Sequence, residues 1–255
     1  MEGIFYGVGV GPGDPELLTL KAARVIRDCD VVAFAVSSPE LTEPVYEEAK
    51  ESFCPAYLAN CVAWQIVLPA VPEIEKKPKL YLPMPMRKDK EALRQIHDAC
   101  AERTERLLRE GKQIAFLTLG DPTVYSTCLY VHKRLKRRGM KTCLIPGIPS
   151  FCAAAAALDM GLVENREELH VIPASYGVEE SLELPGTKVL MKAGKKMPLV
   201  KQAVTEKKLA VRMVENCGMA GERICRKAEE IPEDAGYYSL IIVKEQGSPA
   251  GEGGE

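Results

Sequence analysis

Residues 117–127 read Leu-Thr-Leu-Gly-Asp-Pro-Thr-Val-Tyr-Ser-Thr, a polar turn set between two more regular segments. The residues just before the turn, Gln113 to Leu117, form a short apolar run that predicts a buried strand. The amphipathic segment after it ends in basic residues and Gly139, as helices commonly do. The sequence therefore places Gly-Asp-Pro where a strand leaves its sheet and a helix begins, which is the position at which open α/β sheets bind ligands.

Each residue of this Gly-Asp-Pro turn suits a binding site, although an ordinary capped turn has the same composition. Gly120 allows a ligand to approach the backbone, Asp121 supplies a carboxylate that can also cap the turn, and Pro122 stiffens it. Taken alone, the three residues favour the ordinary turn. A second glycine-rich turn near the start of the chain favours a binding site.

The second turn follows an apolar strand at Ile4–Val8 and reads Gly-Val-Gly-Pro-Gly-Asp-Pro over residues 9–15. Asp14 is predicted to cap a helix whose first turn holds Pro15. The turn is not a dinucleotide fingerprint, because Asp14 replaces the third glycine, and not a phosphate loop, because no Gly-Lys-Ser/Thr follows. A carboxylate repels phosphate, so the turn favours a ligand with positive or neutral polar groups.

The composition is that of a soluble globular chain, with 46% hydrophobic and 27% charged residues among 255. Its length suits one large domain or two small ones. A net charge of -2 argues against a nucleic-acid partner. Neither a membrane-spanning apolar run nor a signal peptide is recognisable, so we expect a cytoplasmic protein. The nine cysteines form no Cys-x-x-Cys pair and predict no metal site. Five are expected in the core: Cys29, Cys100, Cys128, Cys143 and Cys152.

The first half of the chain alternates predicted strands and helices, which indicates a mainly parallel sheet with helices on both faces. We place this first domain at 1–146. Its proline-rich stretch, 52–78, could be a lid, an oligomer contact or a packed excursion, and its apolar residues favour the last two. The other predicted elements are strands at Val31–Val36, Leu80–Leu82 and Thr142–Ile145, and helices at Glu43–Lys50 and Glu91–Glu110.

The second domain is predicted at 147–246, followed by a tail rich in Gly and Glu, 247–255, that should be disordered. A helix of small residues, Phe151–Leu158, opens this domain, and Pro198–Glu206 is the other clear helix. The remaining segments have strand-like patterns, so we expect a mixed sheet. These strands are predicted at Leu169–Pro173, Thr187–Met191, Leu209–Glu215 and Tyr237–Val243.

Four motifs, in this order and at these distances, resemble those of the tetrapyrrole methylases. They are Gly-x-Gly-Pro-Gly-Asp with Leu-Thr-x-x-Ala at 9–22, Gly-Asp-Pro-x-x-Tyr at 120–125, Pro-Gly-Ile at 146–148 and the closing strand at 239–243. The resemblance covers nearly the whole chain. It implies two α/β domains with a cofactor cleft between them, and S-adenosylmethionine as a methyl donor that becomes S-adenosylhomocysteine.

Within this family, Leu-Gly-Asp-Pro-Thr-x-Tyr-Ser-Thr at 119–127 is similar to the branch that methylates precorrin-2 or cobalt-factor II at carbon 20. The segments 82–86 and 146–155 resemble the same branch, whereas the residues after Val36 depart from it. The resemblance implies methyl transfer to carbon 20 in cobalamin biosynthesis. Two alternatives stay open: a methylase acting at another position of a related tetrapyrrole, and a non-catalytic tetrapyrrole-binding protein on the same fold.

The resemblance also carries the family's cofactor contacts onto residues of this chain. The turn at 119–124 is implied to meet the amino-acid and ribose parts of the cofactor, Pro12 to line the cleft, and Pro149 and Ser150 to meet the methionine end. Met191 is implied to pack on the adenine, whose edge the backbone at 217–218 and 240 recognises. For Met191 the apolar pattern alone favours plain core packing. The implied cofactor contacts are Pro12, Leu119, Gly120, Asp121, Val124, Pro149, Ser150, Met191, Cys217, Gly218 and Leu240.

The implied substrate carries many carboxylates, so a chain of net charge -2 must concentrate positive charge near its site. Most surface lysines are ordinary solvated residues, and Lys192, beside Met191, is the best candidate to meet the substrate. The two basic clusters that follow predicted strand ends are Arg87, Lys88 and Lys90, and Lys192, Lys195 and Lys196.

The candidate catalytic residues are Asp121, Tyr125 and Lys192, because the nucleophilic ring carbon must lose a proton and a base would help. The three histidines share no motif and are given no role. The family resemblance implies a homodimer with a tetrapyrrole substrate. From the net charge and the apolar pattern we expect neither nucleic acid nor a membrane as a partner.

Overall fold

The computed structural model describes residues 2–48, 55–87, 89–173 and 178–244, without the side chains of Pro55, Ala56 and Lys195. The chain divides into two compact units, Met1–Pro149 and Ser150–Glu255. The predicted tail at 247–255 and the candidate substrate residue Lys88 lie outside the described residues.

A twisted layer of parallel strands forms the centre of the first unit. Its strands are β1 (Ile4–Gly9), β2 (Val31–Val36), β3 (Val45–Glu47), β4 (Lys79–Pro83), β5 (Ile114–Thr118) and β6 (Lys141–Ile145). Within the described residues they form one sheet in the order β3-β4-β2-β5-β1-β6. Each neighbouring pair is parallel except β3 with β4. The predicted mainly parallel sheet is therefore confirmed.

Helices cover both faces of this sheet, because successive side chains along its buried strands point to opposite sides. Along β2, Val32 and Phe34 belong to one apolar core, and Val31 and Ala33 belong to the other. The first core lies under α1 and α3, and the second lies under α4 and α5. The helices of the first unit are α1 (Leu20–Asp28), α2 (Pro55–Leu58), α3 (Val62–Ala70), α4 (Lys90–Arg109) and α5 (Cys128–Arg137).

One prediction for the first unit was wrong and another was confirmed. The segment predicted as a helix from Glu43 contains the edge strand β3, which pairs antiparallel with β4. The helix predicted after the turn at 117–127 is present and begins at Cys128. It cannot begin earlier, because Tyr125 has a left-handed φ of 46° that interrupts any right-handed helix.

The proline-rich stretch is packed against the first unit. The ring of Trp64 on α3 meets the buried Phe34 ring edge-on at 5.8 Å. Behind it, the fully buried Lys79 donates hydrogen bonds from Nζ to the carbonyl oxygens of Glu75 and Lys77, each at 2.9 Å, and to that of Ile74 at 3.3 Å. These contacts agree with the packed excursion that the sequence favoured.

The second unit has the mixed sheet that was predicted. Its strands are β7 (Leu169–Pro173), β8 (Thr187–Met191), β9 (Ala210–Glu215), β10 (Arg223–Cys225) and β11 (Ser239–Lys244), and its helices are α6 (Ser150–Ala157), α7 (Val178–Leu182) and α8 (Met197–Glu206). The order among described residues is β10-β9-β11-β8-β7, in which only β7 and β8 are parallel neighbours. The short elements α7 and β10 were not predicted.

Most of the cysteines expected in the core are there, but Cys152 is not. Cys29, Cys100 and Cys128 are buried, Cys143 is half-buried and Cys152 is exposed. Helix α6 buries the alanines that follow Cys152 and turns the thiol to solvent. Over the part of the chain that the structure describes, no helix is long and apolar enough to cross a membrane.

Candidate functional site

Three neighbouring strands of the first unit, β5, β1 and β6, end at one edge of the sheet and continue into turns. The turns after β1 and β5 pair with each other through a short antiparallel bridge between Gly11 and Gly120. The Gly120 amide donates to the Gly11 carbonyl at 2.7 Å, and the Gly11 amide returns a bond of 3.3 Å. Both glycines have positive φ, 81° and 68°, which other residues rarely adopt.

The three turns also touch backbone against backbone at glycines. A Cβ atom added to Gly147 would lie 2.2 Å from the carbonyl oxygen of Gly120. A Cβ atom added to Gly9 would lie 2.6 Å from that same oxygen and 2.6 Å from the Gly147 amide nitrogen. No side chain fits at these distances, so Gly9 and Gly147 are required by the contact of the three turns, in which Gly120 takes part through its backbone oxygen.

Asp121 joins the turn after β5 to the turn after β6. Its side chain is buried, with one carboxylate oxygen accepting the Thr123 amide at 2.8 Å and the Thr123 hydroxyl. The other oxygen accepts the Gly147 amide at 3.0 Å. The expected cap of the following turn is therefore present, and both oxygens have partners within the protein.

The C-terminal end of the turn after β5 is anchored by Ser126. Ser126 Oγ lies 2.8 Å from Thr118 Oγ1 at the end of β5 and accepts the Cys128 amide at 3.2 Å. Between the two anchors, Tyr125 has 45% of its surface exposed and the left-handed φ noted above. Strained, exposed residues of this kind cluster at functional sites.

The structure brings the predicted residues of the first unit to this one edge. Pro12 is buried in the turn after β1, Leu119 and Val124 are half-buried in the turn after β5, and Pro149 ends the segment after β6. Leu119 packs against the core of the first unit. Ser150 is the first residue of α6 and belongs to the second unit.

The chemical groups at this edge are backbone amides and carbonyls, carboxylates and side-chain hydroxyls. Residues 10–15, 119–127 and 146–149 contain Asp14 and Asp121 but no lysine, arginine or histidine. Such a set suits a ligand with a positive charge and polar groups, and it is unsuited to phosphate.

The predicted residues of the second unit also share one edge of their sheet. β11 lies between β8 and β9 and runs antiparallel to both, so the ends of β8 and β9 meet the start of β11. Met191 pairs with Leu240 there. The next residue on each side, Lys192 after β8 and Asn216 after β9, has a left-handed φ, 59° and 52°.

Glu215, at the end of β9, holds two segments of this edge together. It was not among the residues predicted from the sequence. It is buried, accepts the Gly236 amide with one oxygen and binds the guanidinium of Arg223 with the other, at 3.0 Å from Nε. One residue further, the Asn216 amide donates to the Tyr238 carbonyl at 3.1 Å. The segments 215–218 and 236–240 are thereby fixed to each other.

Tyr237 and Tyr238 were also missed, although a Tyr-Tyr pair directly before the closing strand could have signalled them. Their rings meet edge-on at 5.3 Å, and both are partly exposed. Lys192 Nζ lies 5.9 Å from the centre of the Tyr237 ring, a cation–π contact. The predicted Lys192 is therefore placed at the same edge as Met191 and Leu240.

One of the basic residues predicted after β4 lines a second feature of the first unit. Arg87 is exposed and lines a cavity of about 250 Å³ at the ends of β2 and β4. Lys90, the first residue of α4, is also exposed but does not line it. In the second unit Lys196 is half-buried in a 3-10 turn after β8.

The fold defined by these two sheets is that of a class of C-methyltransferases. Uroporphyrin-III C-methyl transferase from Thermus thermophilus, complexed with S-adenyl homocysteine, matches 95% of this chain and 97% of its own with a TM-score of 0.65 and 20% identity. Residues 5–232 match the Tetrapyrrole (Corrin/Porphyrin) Methylases, and the chain belongs to this family. The family expected from the four motifs is confirmed.

Two relatives match almost from end to end. A probable cobalt-precorrin-2 C(20)-methyltransferase from Methanocaldococcus jannaschii is 33% identical over 94% of this chain and 95% of its own. A precorrin-2 C(20)-methyltransferase from a Sinorhizobium species is 28% identical over 94% of this chain and 95% of its own.

Proposed function

We propose that this protein transfers the methyl group of S-adenosylmethionine to carbon 20 of precorrin-2 or of its cobalt form in cobalamin biosynthesis. The two relatives described above carry names of that reaction. The observation that supports a retained activity is Tyr125, which is 45% exposed on the turn after β5 and has a left-handed φ of 46°, because backbone strain of this kind clusters at functional sites. A tetrapyrrole-binding protein without catalysis is therefore the weaker alternative.

The edge formed by the three turns fits the proposed methyl donor. S-adenosylmethionine supplies an electrophilic methyl group on a positively charged sulfur. The Asp-bearing, cation-free turns at 10–15 and 119–127 suit that charge and the adjacent ammonium group. We assign the amino-acid and ribose contacts to these residues of the chain: Pro12, Leu119, Gly120, Asp121, Val124, Pro149 and Ser150.

In the second unit we assign the adenine contacts to the edge at which β8, β9 and β11 meet. Met191 and Leu240 are cross-strand partners there, and the backbone at Cys217 and Gly218 follows β9 directly. Apolar side chains can pack on the faces of a purine, while backbone amides and carbonyls recognise its edge.

The protein's part in the reaction is mainly positioning, because the displacement needs the methyl group in line with the ring carbon. Asp121 has both oxygens occupied by Thr123 and Gly147, so we assign it to holding the turn. Tyr125, exposed on that turn, is the better candidate to contact the substrate near its reacting carbon. Lys192 is proposed to attract a substrate carboxylate.

The test is turnover of S-adenosylmethionine with precorrin-2 and with cobalt-factor II, with the methyl position read by NMR. A single new methyl group at carbon 20 is expected, and the preferred substrate identifies the metal state. Methylation at another carbon would support a methylase that acts at another position of a related tetrapyrrole. Cofactor binding without any methyl transfer would support a tetrapyrrole-binding protein without catalysis. We further expect a homodimer by light scattering and a cytoplasmic location.

A further inference from the structure

The cavity that Arg87 lines opens on the same edge of the sheet as the glycine turns. β2 pairs with β5 on one side and with β4 on the other, and all three are parallel. The ladder between β2 and β4 reaches Val36 opposite Pro83, and the Met84 amide continues it to the Val36 carbonyl at 2.7 Å. Because strands lie about 4.8 Å apart, the cavity is only one or two strands from the turn of Asp121.

The walls of this cavity combine apolar and polar groups. A short aliphatic chain ending in a charged or hydrogen-bonding group would fit such a lining, since the walls would bury its methylene groups and the polar groups its end. The apolar lining is Pro39, Leu41, Pro85, Ala92 and Ile96, and the polar lining is Ser38, Thr42, Arg87 and Gln95.

Arg87 brings a positive charge that acidic residues in the described ranges do not neutralise through an ion pair. By contrast, Arg94 on α4 is paired with Glu91 at 2.9 Å. Asp89, two positions further along the chain, caps α4 through the amides of Glu91 and Ala92. An arginine binds a carboxylate well because its planar fork donates two parallel hydrogen bonds.

We propose, resting on the proposed function, that this cavity receives one carboxylate-bearing side arm of the tetrapyrrole, with Arg87 as the charged partner of the carboxylate. The glycine turns at the ends of β5, β1 and β6 hold the methyl donor, and the ends of β2 and β4 hold the arm. The arm thereby fixes the rotation of the macrocycle and selects which ring carbon is presented to the methyl group.

Two substitutions test this subsite by different means. Arg87→Ala removes the charge, and Ala92→Leu fills the cavity while keeping every charge. Each is expected to raise the KM for the tetrapyrrole about tenfold and to leave the affinity for S-adenosylmethionine, measured by calorimetry, unchanged. Arg87→Lys should fall between wild type and Arg87→Ala, since a lysine keeps the charge without the fork. The matched control is Arg94→Ala, an exposed arginine of α4 outside the cavity.

Two further measurements test the subsite: the salt dependence of the KM for the tetrapyrrole, and direct binding of precorrin-2. The KM of wild type should rise with ionic strength more steeply than that of Arg87→Ala, because screening weakens only the charged contact. Unchanged tetrapyrrole KM in both Arg87→Ala and Ala92→Leu would overturn the subsite. If wild type methylates neither substrate, the proposed function fails, and binding of precorrin-2 followed by absorbance still tests the subsite with the same variants.

Discussion

The carboxylate of Asp121 accepts a hydrogen bond from the backbone amide of Gly147, at 3.0 Å and across 26 positions of the chain. The bond joins the turn after β5 to the turn after β6, although β1 lies between those strands. It also places the amide of a glycine that has no room for a side chain. The main role of the Asp121 carboxylate is therefore to hold the backbone of these two turns in place.

Replacing Asp121 with Asn should weaken the site, because an amide cannot accept from Thr123 and Gly147 with both of its heteroatoms. One buried N–H loses its acceptor, which should lower the free energy of unfolding by about 1–3 kcal/mol. Urea denaturation measures this change, and calorimetry should show weaker binding of S-adenosylmethionine. The control is Asp159→Asn, an exposed site with left-handed φ that asparagine tolerates. Equal stability of the two variants would contradict the assignment.

Replacing Gly147 with Ala should separate the three turns. The new Cβ would lie 2.2 Å from the Gly120 carbonyl oxygen, and backbone must move to admit it. We expect a loss of about 3 kcal/mol in unfolding free energy and loss of cofactor binding in calorimetry. Gly161→Ala is the matched control, because its Cβ would meet nothing closer than 3.4 Å. A Gly147→Ala variant that binds the cofactor like wild type would refute the requirement for glycine.

Replacing Glu215 with Gln should loosen the edge of the second unit. The single amide oxygen can accept from Gly236 or from Arg223 but not from both, so one contact is lost at an expected cost of about 2 kcal/mol. The affinity for S-adenosylmethionine should fall because the Glu215 side chain would no longer hold the segments 215–218 and 236–240 together. Glu229→Gln, at an exposed position, should leave the affinity as it is. Unaltered cofactor affinity in Glu215→Gln would show that this edge does not meet the cofactor.

Stability should rise with pH through the region where Lys79 titrates. Burial lowers the pKa of Lys79 from 10.5 to about 8, while neighbouring Glu47 and Glu75 act the other way. Between these two pH values the unfolded chain holds more protons than the folded one, so this lysine makes the free energy of unfolding increase with pH. Urea denaturation from about pH 7.5 to 10 measures the slope. The variant Lys79→Met should flatten it and the exposed Lys76→Met should not. Parallel slopes in wild type and Lys79→Met would contradict the effect of burial.

The order of elements could be predicted because apolar runs and glycine turns are local signals. The strand at Gln113–Leu117 and the long helix at Glu91–Glu110 differ from β5 and α4 by only one residue at each end. The short strand β3 could not be predicted, since its state depends on pairing with β4 and on the hydrogen bond from Tyr81 to Glu47 at 3.1 Å. Those partners lie more than 30 residues away.

The glycines of the candidate site could be predicted from the sequence, but the hydrogen bonds that join its segments could not. Gly9, Gly120 and Gly147 stand in short motifs, so their positions could be found without the structure. The hydrogen bonds that Gly147 donates to Asp121 and Gly236 donates to Glu215 depend on strand order, which a single sequence does not state. The left-handed backbone at Tyr125 has no local signal either, because tyrosine is not a residue that favours it.

The glycines at 9, 120 and 147 also limit how such a chain can evolve. A side chain at 9 or 147 meets the main chain of its partners, and no second mutation can make room, because glycine is already the smallest residue. The cavity at the ends of β2 and β4 is walled by side chains, each of which can be exchanged separately. New substrate preferences should therefore arise through substitutions around this cavity, while the three glycines stay unchanged.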